Sequence, residues 1–168
     1  MANKTTFTPD EWKQILESVM LSGMAVTAAE PSGLLGVLKE SMATGRSLIA
    51  AKSDPQSNDL VRAVASEFET SAGRQAARER LQATLRGAKA ADVKAKSIAA
   101  LHDVAALIDT KAPGDARGFK TWLQHIAEGA AEAANEGGFM GFGGVRVSDK
   151  ERATLAEVSS ALGIRGRA

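Results

Sequence analysis

The sequence predicts an all-α protein, a single compact bundle of about seven helices, and three observations support this. Apolar residues recur every three or four positions, which is the spacing of one helix face. No segment shows the sustained alternation of apolar and polar residues that a half-exposed strand requires. The prolines at positions 9, 31, 55 and 113 stand where a helix can start or a loop can run. We therefore expect one helical domain over residues 1–168.

The first two helices are expected in the N-terminal third of the chain. Thr8, Pro9 and Glu11 form a capping box with proline at the first helical position. An apolar stripe then follows at helical spacing, and this helix should run to about Ala29. A second helix should carry the apolar residues that lie within 34–49.

The middle of the chain predicts two shorter helices after a polar loop at residues 53–59. Asn58 or Asp59 should cap the first of them, because both side chains can accept a hydrogen bond from the first helical turn. Ser71 should cap the second, a charged helix that ends near Gly87.

Three further helices complete the predicted bundle. A long helix is expected over about 90–109, and Pro113 should open the next. Ser148 and Glu151 form a second capping box that starts the last helix, and Gly163 should stop it.

Composition and charge exclude several classes of function. The 20 acidic and 21 basic residues nearly cancel, so no global charge draws the molecule to nucleic acid. Residues 61–100 hold eight basic and four acidic residues, which we interpret as the solvated face of two helices. The chain has no cysteine, which excludes disulfides, thiol nucleophiles and zinc–cysteine sites. No apolar run approaches the length of a membrane span, and we expect a cytoplasmic protein.

The sequence also suggests an internal duplication, in which residues 12–40 match residues 119–157. Each copy is a helix headed by an aromatic residue, with an acid at its end and a turn of two apolar residues between glycines. The matched pairs are Trp12 with Phe119, Lys13 with Lys120, Leu16 with Leu123 and Val19 with Ile126, and then, after slips of one residue, Gly23 with Gly129, Ala28 with Ala134 and Glu30 with Glu136. Two halves related in this way would pack around an approximate twofold axis.

The C-terminal part of this pattern carries a resemblance to a known family. Residues 134–137, an acid–glycine helix end, are followed by the capped helix start at residues 147–151. This arrangement resembles the TerB-like all-helical proteins of tellurite resistance. The resemblance implies helix-hairpin halves and, in some members, turn acids that bind a divalent cation. Here the acids in question are Glu30, Glu136 and Asp149.

The stretch EGGFMGFGGVRVSDKE, residues 136–151, is the one that helix building does not explain. It lacks the Gly-Lys-Ser/Thr ending of a phosphate loop, although Arg146 and the following helix could hold an anion. Five large apolar residues in this stretch either lie beneath the helices or face a partner. The candidate interface residues are Phe139, Met140, Phe142, Val145 and Arg146.

Other catalytic and metal patterns are missing from the sequence. His102 and His125 each lack a second histidine within four residues, and neither follows the Glu-x-x-His spacing of a di-iron bundle. His125, Glu128 and Glu132 share a helix face, which we interpret as solvated. No nucleophile elbow is present.

Three functions are left open by the sequence. The leading hypothesis is a non-enzymatic protein that works through protein–protein contacts, either with another protein or with itself in a homo-dimer, and with no cofactor. One alternative is a TerB-like stress-response module that binds a divalent cation. The other is an enzyme of a kind that the motifs do not reveal.

Overall fold

A computed structural model describes residues 2–29, 44–52, 54, 57–135 and 147–164 of the chain. Over these ranges the protein is helical and contains no strand, so the all-α prediction is confirmed. A short 3-10 helix, Lys4–Thr6, precedes the main elements. The α-helices are α1 (Pro9–Thr27), α2 (residues 44–52), α3 (Asp59–Glu69), α4 (Ser71–Thr84), α5 (Ala90–Lys111), α6 (Pro113–Asn135) and α7 (Asp149–Ala161).

The predicted capping boxes at the starts of α1 and α7 are confirmed. In α1, the Thr8 hydroxyl accepts a hydrogen bond from the Glu11 amide (3.3 Å), and the Glu11 carboxylate accepts one from the Thr8 amide (2.7 Å). Ser148 and Glu151 make the same reciprocal pair at α7, at 3.2 and 2.8 Å. Each box satisfies two amides that have no partner inside the helix.

The predicted cap of α4 is wrong by one residue. Thr70, not Ser71, holds the capping position: its hydroxyl accepts from the Gly73 amide at 2.9 Å and donates to the Glu67 carbonyl at 2.8 Å. Thr70 therefore ends α3 and starts α4, and its extended backbone makes the corner between them. Asn58 caps α3 by accepting from the Val61 amide at 2.9 Å, which is one of the two residues expected there.

Helix ends elsewhere fall close to the predicted positions. α1 ends at Thr27, two residues before the expected end, and α5 continues to Lys111, two residues beyond it. Gly87 and Gly163 both adopt positive φ, at 69° and 65°, just after α4 and α7. Only glycine reaches this left-handed region without strain, which explains why both helices stop there.

Helix α1 occupies the centre of the described bundle and contacts α4, α5, α6 and α7. Its buried residues lie on every side of the helix rather than on one stripe. Small residues on α1 let the neighbouring helices approach closely. The buried hydroxyls find acceptors within α1 itself: Ser18 donates to the Ile15 carbonyl at 2.7 Å, and Ser22 donates to the Ser18 carbonyl at 2.8 Å. The largest side chains that are fully buried are Phe119, Ile15, Leu16, Leu21, Leu60, Leu101, Ile108, Leu123, Ile126 and Leu162.

Both tryptophans belong to the core, as their positions on apolar stripes predict. Trp12 and Trp122 are 3% and 9% exposed, and each contacts a phenylalanine ring, at centroid distances of 6.0 Å to Phe7 and 5.6 Å to Phe119. The N-terminal segment is tied to the same region, because the Ala2 amide donates to the Asp115 carboxylate at 2.8 Å. None of the helices described is both long and apolar enough to cross a bilayer.

Candidate functional site

Most residues of the sequence-predicted sites lie outside the described residues. These are Phe139, Met140, Phe142, Val145 and Arg146 of the candidate interface, with Glu30 and Glu136 of the candidate cation site. The remaining member, Asp149, lies in the first turn of α7 with a side chain that is 97% exposed. Its carboxylate is 3.2 Å from Nη1 of Arg152, whose Nη2 donates to the Val147 carbonyl at 3.0 Å. Asp149 is thus part of an exposed ion pair within one helical turn.

Within the described ranges, no three or more acidic or histidine side chains converge to hold a metal ion. His102 has a side chain that is 70% exposed and lies 3.6 Å from its neighbour Asp103. His125 and Glu132 are also exposed, whereas Glu128 is half-buried. The two histidines lie on different helices, α5 and α6.

Among the described residues, a groove of about 930 Å³ lies along α6 and α7, and we call it the α6–α7 groove. It follows the N-terminal half of α6 and the C-terminal half of α7. Its apolar lining comes from Pro113, Ala116, Leu155, Ala156 and Ile164, and its charged lining from Asp109, Arg117, Lys120, His125 and Glu128. The groove therefore combines an apolar surface with charges of both signs.

Internal contacts occupy some of these charged groups and leave others facing solvent. Lys120 is largely buried and donates to both carboxylate oxygens of Asp109, at 2.7 and 2.9 Å. Gln124 donates to Glu128 at 3.1 Å, whereas its own Oε1 is buried without a hydrogen-bond partner. Arg117 is exposed. Such a surface can receive an apolar ligand face and pair with charges at its border.

A second concavity, of about 260 Å³, lies where α1, α4 and α5 meet, and we call it the Glu17 pocket. Glu17 is only 2% exposed, although it is a carboxylate on the central helix. Burial raises its pKa, and this effect is opposed by Thr84 and Arg80. Burying a carboxylate costs folding free energy unless its oxygens are hydrogen-bonded or paired with a cation. The contacts of Glu17 therefore determine whether the pocket has polar groups left to bind a ligand.

The partners of Glu17 are incomplete. Nε of Arg80 lies 3.5 Å from Oε2 of Glu17, while Nη1 of Arg80 lies 3.3 and 3.4 Å from the carboxylate oxygens of the exposed Asp10. Oε1 of Glu17 and Nε of Arg80 are both buried without a hydrogen-bond partner. Lys96 reaches only the carbonyls of Thr84 and Arg86, at 3.5 and 3.4 Å.

Sequence reasoning missed this pocket, although a signal was available. Glu17 is the one ionisable residue between Lys13 and the end of α1, in a stretch whose other residues are uncharged and, from Ile15 onward, apolar or small. A single charge in such a helix predicts a buried carboxylate with a partner from a neighbouring helix. Arg80 could not be identified as that partner, because it is one of several arginines in a charged helix.

Comparisons of the chain with protein-family models, with curated proteins and with solved structures find no match.

Proposed function

We propose that this protein acts by binding another protein rather than by catalysis, and that its partner is a second copy of the same chain. The observation that carries the proposal is the α6–α7 groove, with its volume of about 930 Å³ and its lining of apolar residues together with charges of both signs. Grooves between two helices with this distribution are typical receptors for an amphipathic helix.

The charges at the groove favour a copy of the chain as the occupant. Asp109 and Glu128 supply negative groups, and Arg117 and Lys120 supply positive ones, with Lys120 and Asp109 paired to each other. In a twofold dimer each surface meets itself in reverse orientation, so a surface that carries both signs can complement its own copy. A partner of one uniform charge would meet like charges in part of this groove.

The segment that joins α6 to α7 supports the same proposal from the sequence. Four large apolar residues, Phe139, Met140, Phe142 and Val145, lie within seven positions of the sequence, and Arg146 follows them directly. In the proposed dimer these residues form a second contact surface, in addition to the α6–α7 groove. Apolar side chains of this kind stabilise an interface through the area that they remove from water.

Sedimentation velocity of the wild type and of two variants, in each of which one alanine is replaced by tryptophan, tests the groove. Ala156 is exposed and lines it, so Ala156→Trp places a large ring in the space that the partner would occupy. Ala153 is exposed in the same helix but does not line the groove, so Ala153→Trp is the matched control. We expect a dimer for the wild type and the control, and a monomer for Ala156→Trp.

Phe142→Asp tests the connecting segment in the same experiment, and we expect it to weaken the dimer because it places a charge in an apolar contact. A wild type that sediments as a monomer at every concentration would contradict the proposed self-association. A dimer that persists in both Ala156→Trp and Phe142→Asp would show that self-association uses another surface.

A further inference from the structure

We propose that the Glu17 pocket binds a small zwitterion, of the class of a free α-amino acid, between Glu17 on α1 and the cations Arg80 and Lys96 on α4 and α5. This inference is independent of the proposed dimer, because the pocket lies among α1, α4 and α5 rather than between α6 and α7.

Unsatisfied hydrogen-bonding groups are the first reason to expect a ligand here. A buried donor or acceptor without a partner costs free energy that a bound group can recover. The pocket has an acceptor of this kind in Oε1 of Glu17, and Nε of Arg80 is a buried donor that has no hydrogen bond and only a 3.5 Å ionic contact with Oε2 of Glu17. The Nζ group of Lys96 adds a cation held only by two long contacts to carbonyls.

The balance of charge identifies the class of ligand. Glu17 and Asp103 bring two carboxylates to the lining, and Arg80 and Lys96 bring two cations. The four charges cancel, so neither a simple anion nor a simple cation matches the pocket as a whole. A ligand with an ammonium group at one end and a carboxylate at the other can pair with both signs.

Arg80 provides a way for the ligand to reach the buried carboxylate. Its side chain spans from the exposed Asp10 to the buried Glu17, and its contacts with both are long, at 3.3–3.5 Å. When Arg80 turns toward the ligand carboxylate, the ligand ammonium takes its place opposite Glu17. The guanidinium then makes a paired contact with a carboxylate, the geometry that arginine favours.

The size of the pocket limits the ligand to a small molecule. Sites for drug-sized ligands are typically about 300–1,000 Å³, and this pocket holds about 260 Å³. Its apolar lining is short, consisting of Ala99, Ala100 and Val104. We therefore expect amino acids with small or short apolar side chains to bind better than aromatic ones.

Thermal melting of the full chain with each common free L-amino acid at millimolar concentration tests the proposal. At least one should raise the melting midpoint, because a ligand that binds the folded state stabilises it by mass action. Its N-acetyl and carboxamide derivatives, which lack one of the two charges, should give no rise. Calorimetric titration then measures the affinity of the amino acid that binds.

Variants locate the binding in the pocket. Glu17→Gln keeps the shape of the side chain and removes its charge, and it should weaken the affinity by about tenfold or more. Arg80→Gln should do the same, whereas Arg78→Gln is the control, since Arg78 is exposed on the same helix and does not line the pocket. If Glu17→Gln does not fold, Arg80→Gln and Lys96→Gln carry the test.

Three results would overturn the proposal. One is the absence of a shift with every amino acid in the panel. Another is an N-acetyl or carboxamide derivative that binds as tightly as its parent. The third is an amino acid whose affinity is unchanged in Arg80→Gln and Lys96→Gln, which would place it elsewhere on the protein.

Discussion

Glu17 places a carboxylate at the centre of the bundle, and its effect on stability depends on pH. Because burial raises its pKa above the usual 4.5, the folded protein binds the proton more tightly than the unfolded chain does. The stabilisation that comes from binding this proton is present below the pKa that Glu17 has in the unfolded chain, and it is lost as pH rises through the pKa that Glu17 has in the folded protein. Glutamine does not titrate, so we expect Glu17→Gln to gain stability relative to wild type as pH rises from below 4.5. Urea unfolding over a pH series measures this difference.

Glu11 provides a control of opposite sign for that experiment. Its hydrogen bond with Lys111, at 2.7 Å, and its bond with the Thr8 amide lower its pKa. The stability that it contributes is therefore present above its unfolded pKa and is lost as pH falls through the folded one. Glu11→Gln should lose stability relative to wild type as pH rises through this range. A Glu17→Gln difference that changes with pH in the same direction as Glu11→Gln would contradict the buried-carboxylate interpretation.

At the scale of the helical element, the corner between α3 and α4 depends on Thr70. Its hydroxyl makes both a cap for α4 and a bond to the last turn of α3, so Thr70→Ala removes two hydrogen bonds. We expect this change to lower the free energy of unfolding by about 1–2 kcal/mol. Ser71 is exposed and is the first helical residue, so Ser71→Ala should change the stability by less than about 0.5 kcal/mol. Chemical unfolding of both variants decides which residue is the cap, and equal losses would contradict the assignment.

Gly73 sets how closely α4 can approach the end of α3. A Cβ atom at this position would overlap the carbonyl oxygen of Glu67 and lie 2.7 Å from its Cγ. The corner must therefore open to admit alanine, and we expect Gly73→Ala to destabilise the protein by about 1–3 kcal/mol, the range of overpacking. Gly129 in α6 has open space around its Cβ position, so Gly129→Ala should stabilise by about 0.5–1 kcal/mol through helix propensity alone. Thermal and urea unfolding of the two variants should thus move in opposite directions.

The helices could be predicted from the sequence because their signals are local. Thr8, Glu11, Ser148 and Glu151 lie within one turn of the amides that they cap, and the stripes between caps need no knowledge of the partner helix. The cap of α4 was predicted at Ser71 instead of Thr70 because both residue types can cap a helix, and the choice between them depends on the hydrogen bond from Thr70 to α3.

The candidate sites depend on contacts between distant parts of the chain, and these could not be predicted in the same way. Glu17 meets Arg80 across 63 positions of sequence, and the α6–α7 groove combines residues from Asp109 to Ile164. Sequence periodicity identifies which face of a helix is buried, but not which residue of a neighbouring helix lies opposite. The predicted interface between residues 139 and 146 stays a prediction, since it lies outside the described residues.

At the scale of the whole molecule, the central position of α1 means that the two proposed repeat halves share one core. The first half contributes α1 and the second contributes α6, and these two helices pack against each other in the core. Matched positions of the two repeats, such as Leu16 and Leu123, are both buried there. A repeat whose halves share one core cannot lose one half without exposing the apolar face of the other.

Truncation of Leu16 should therefore weaken the bundle as one unit. Leu16 is 1% exposed, and Leu16→Ala should lower the free energy of unfolding by about 2–5 kcal/mol. In native-state hydrogen exchange, the slowest amides of α1, α5 and α6 should all lose this same free energy, because they exchange only when the shared core opens. As a control, Ala106→Ser at an exposed position of α5 should leave the protection of all three helices unchanged. If α6 keeps its protection while α1 loses it, the halves unfold separately and the chain holds two cooperative units rather than one.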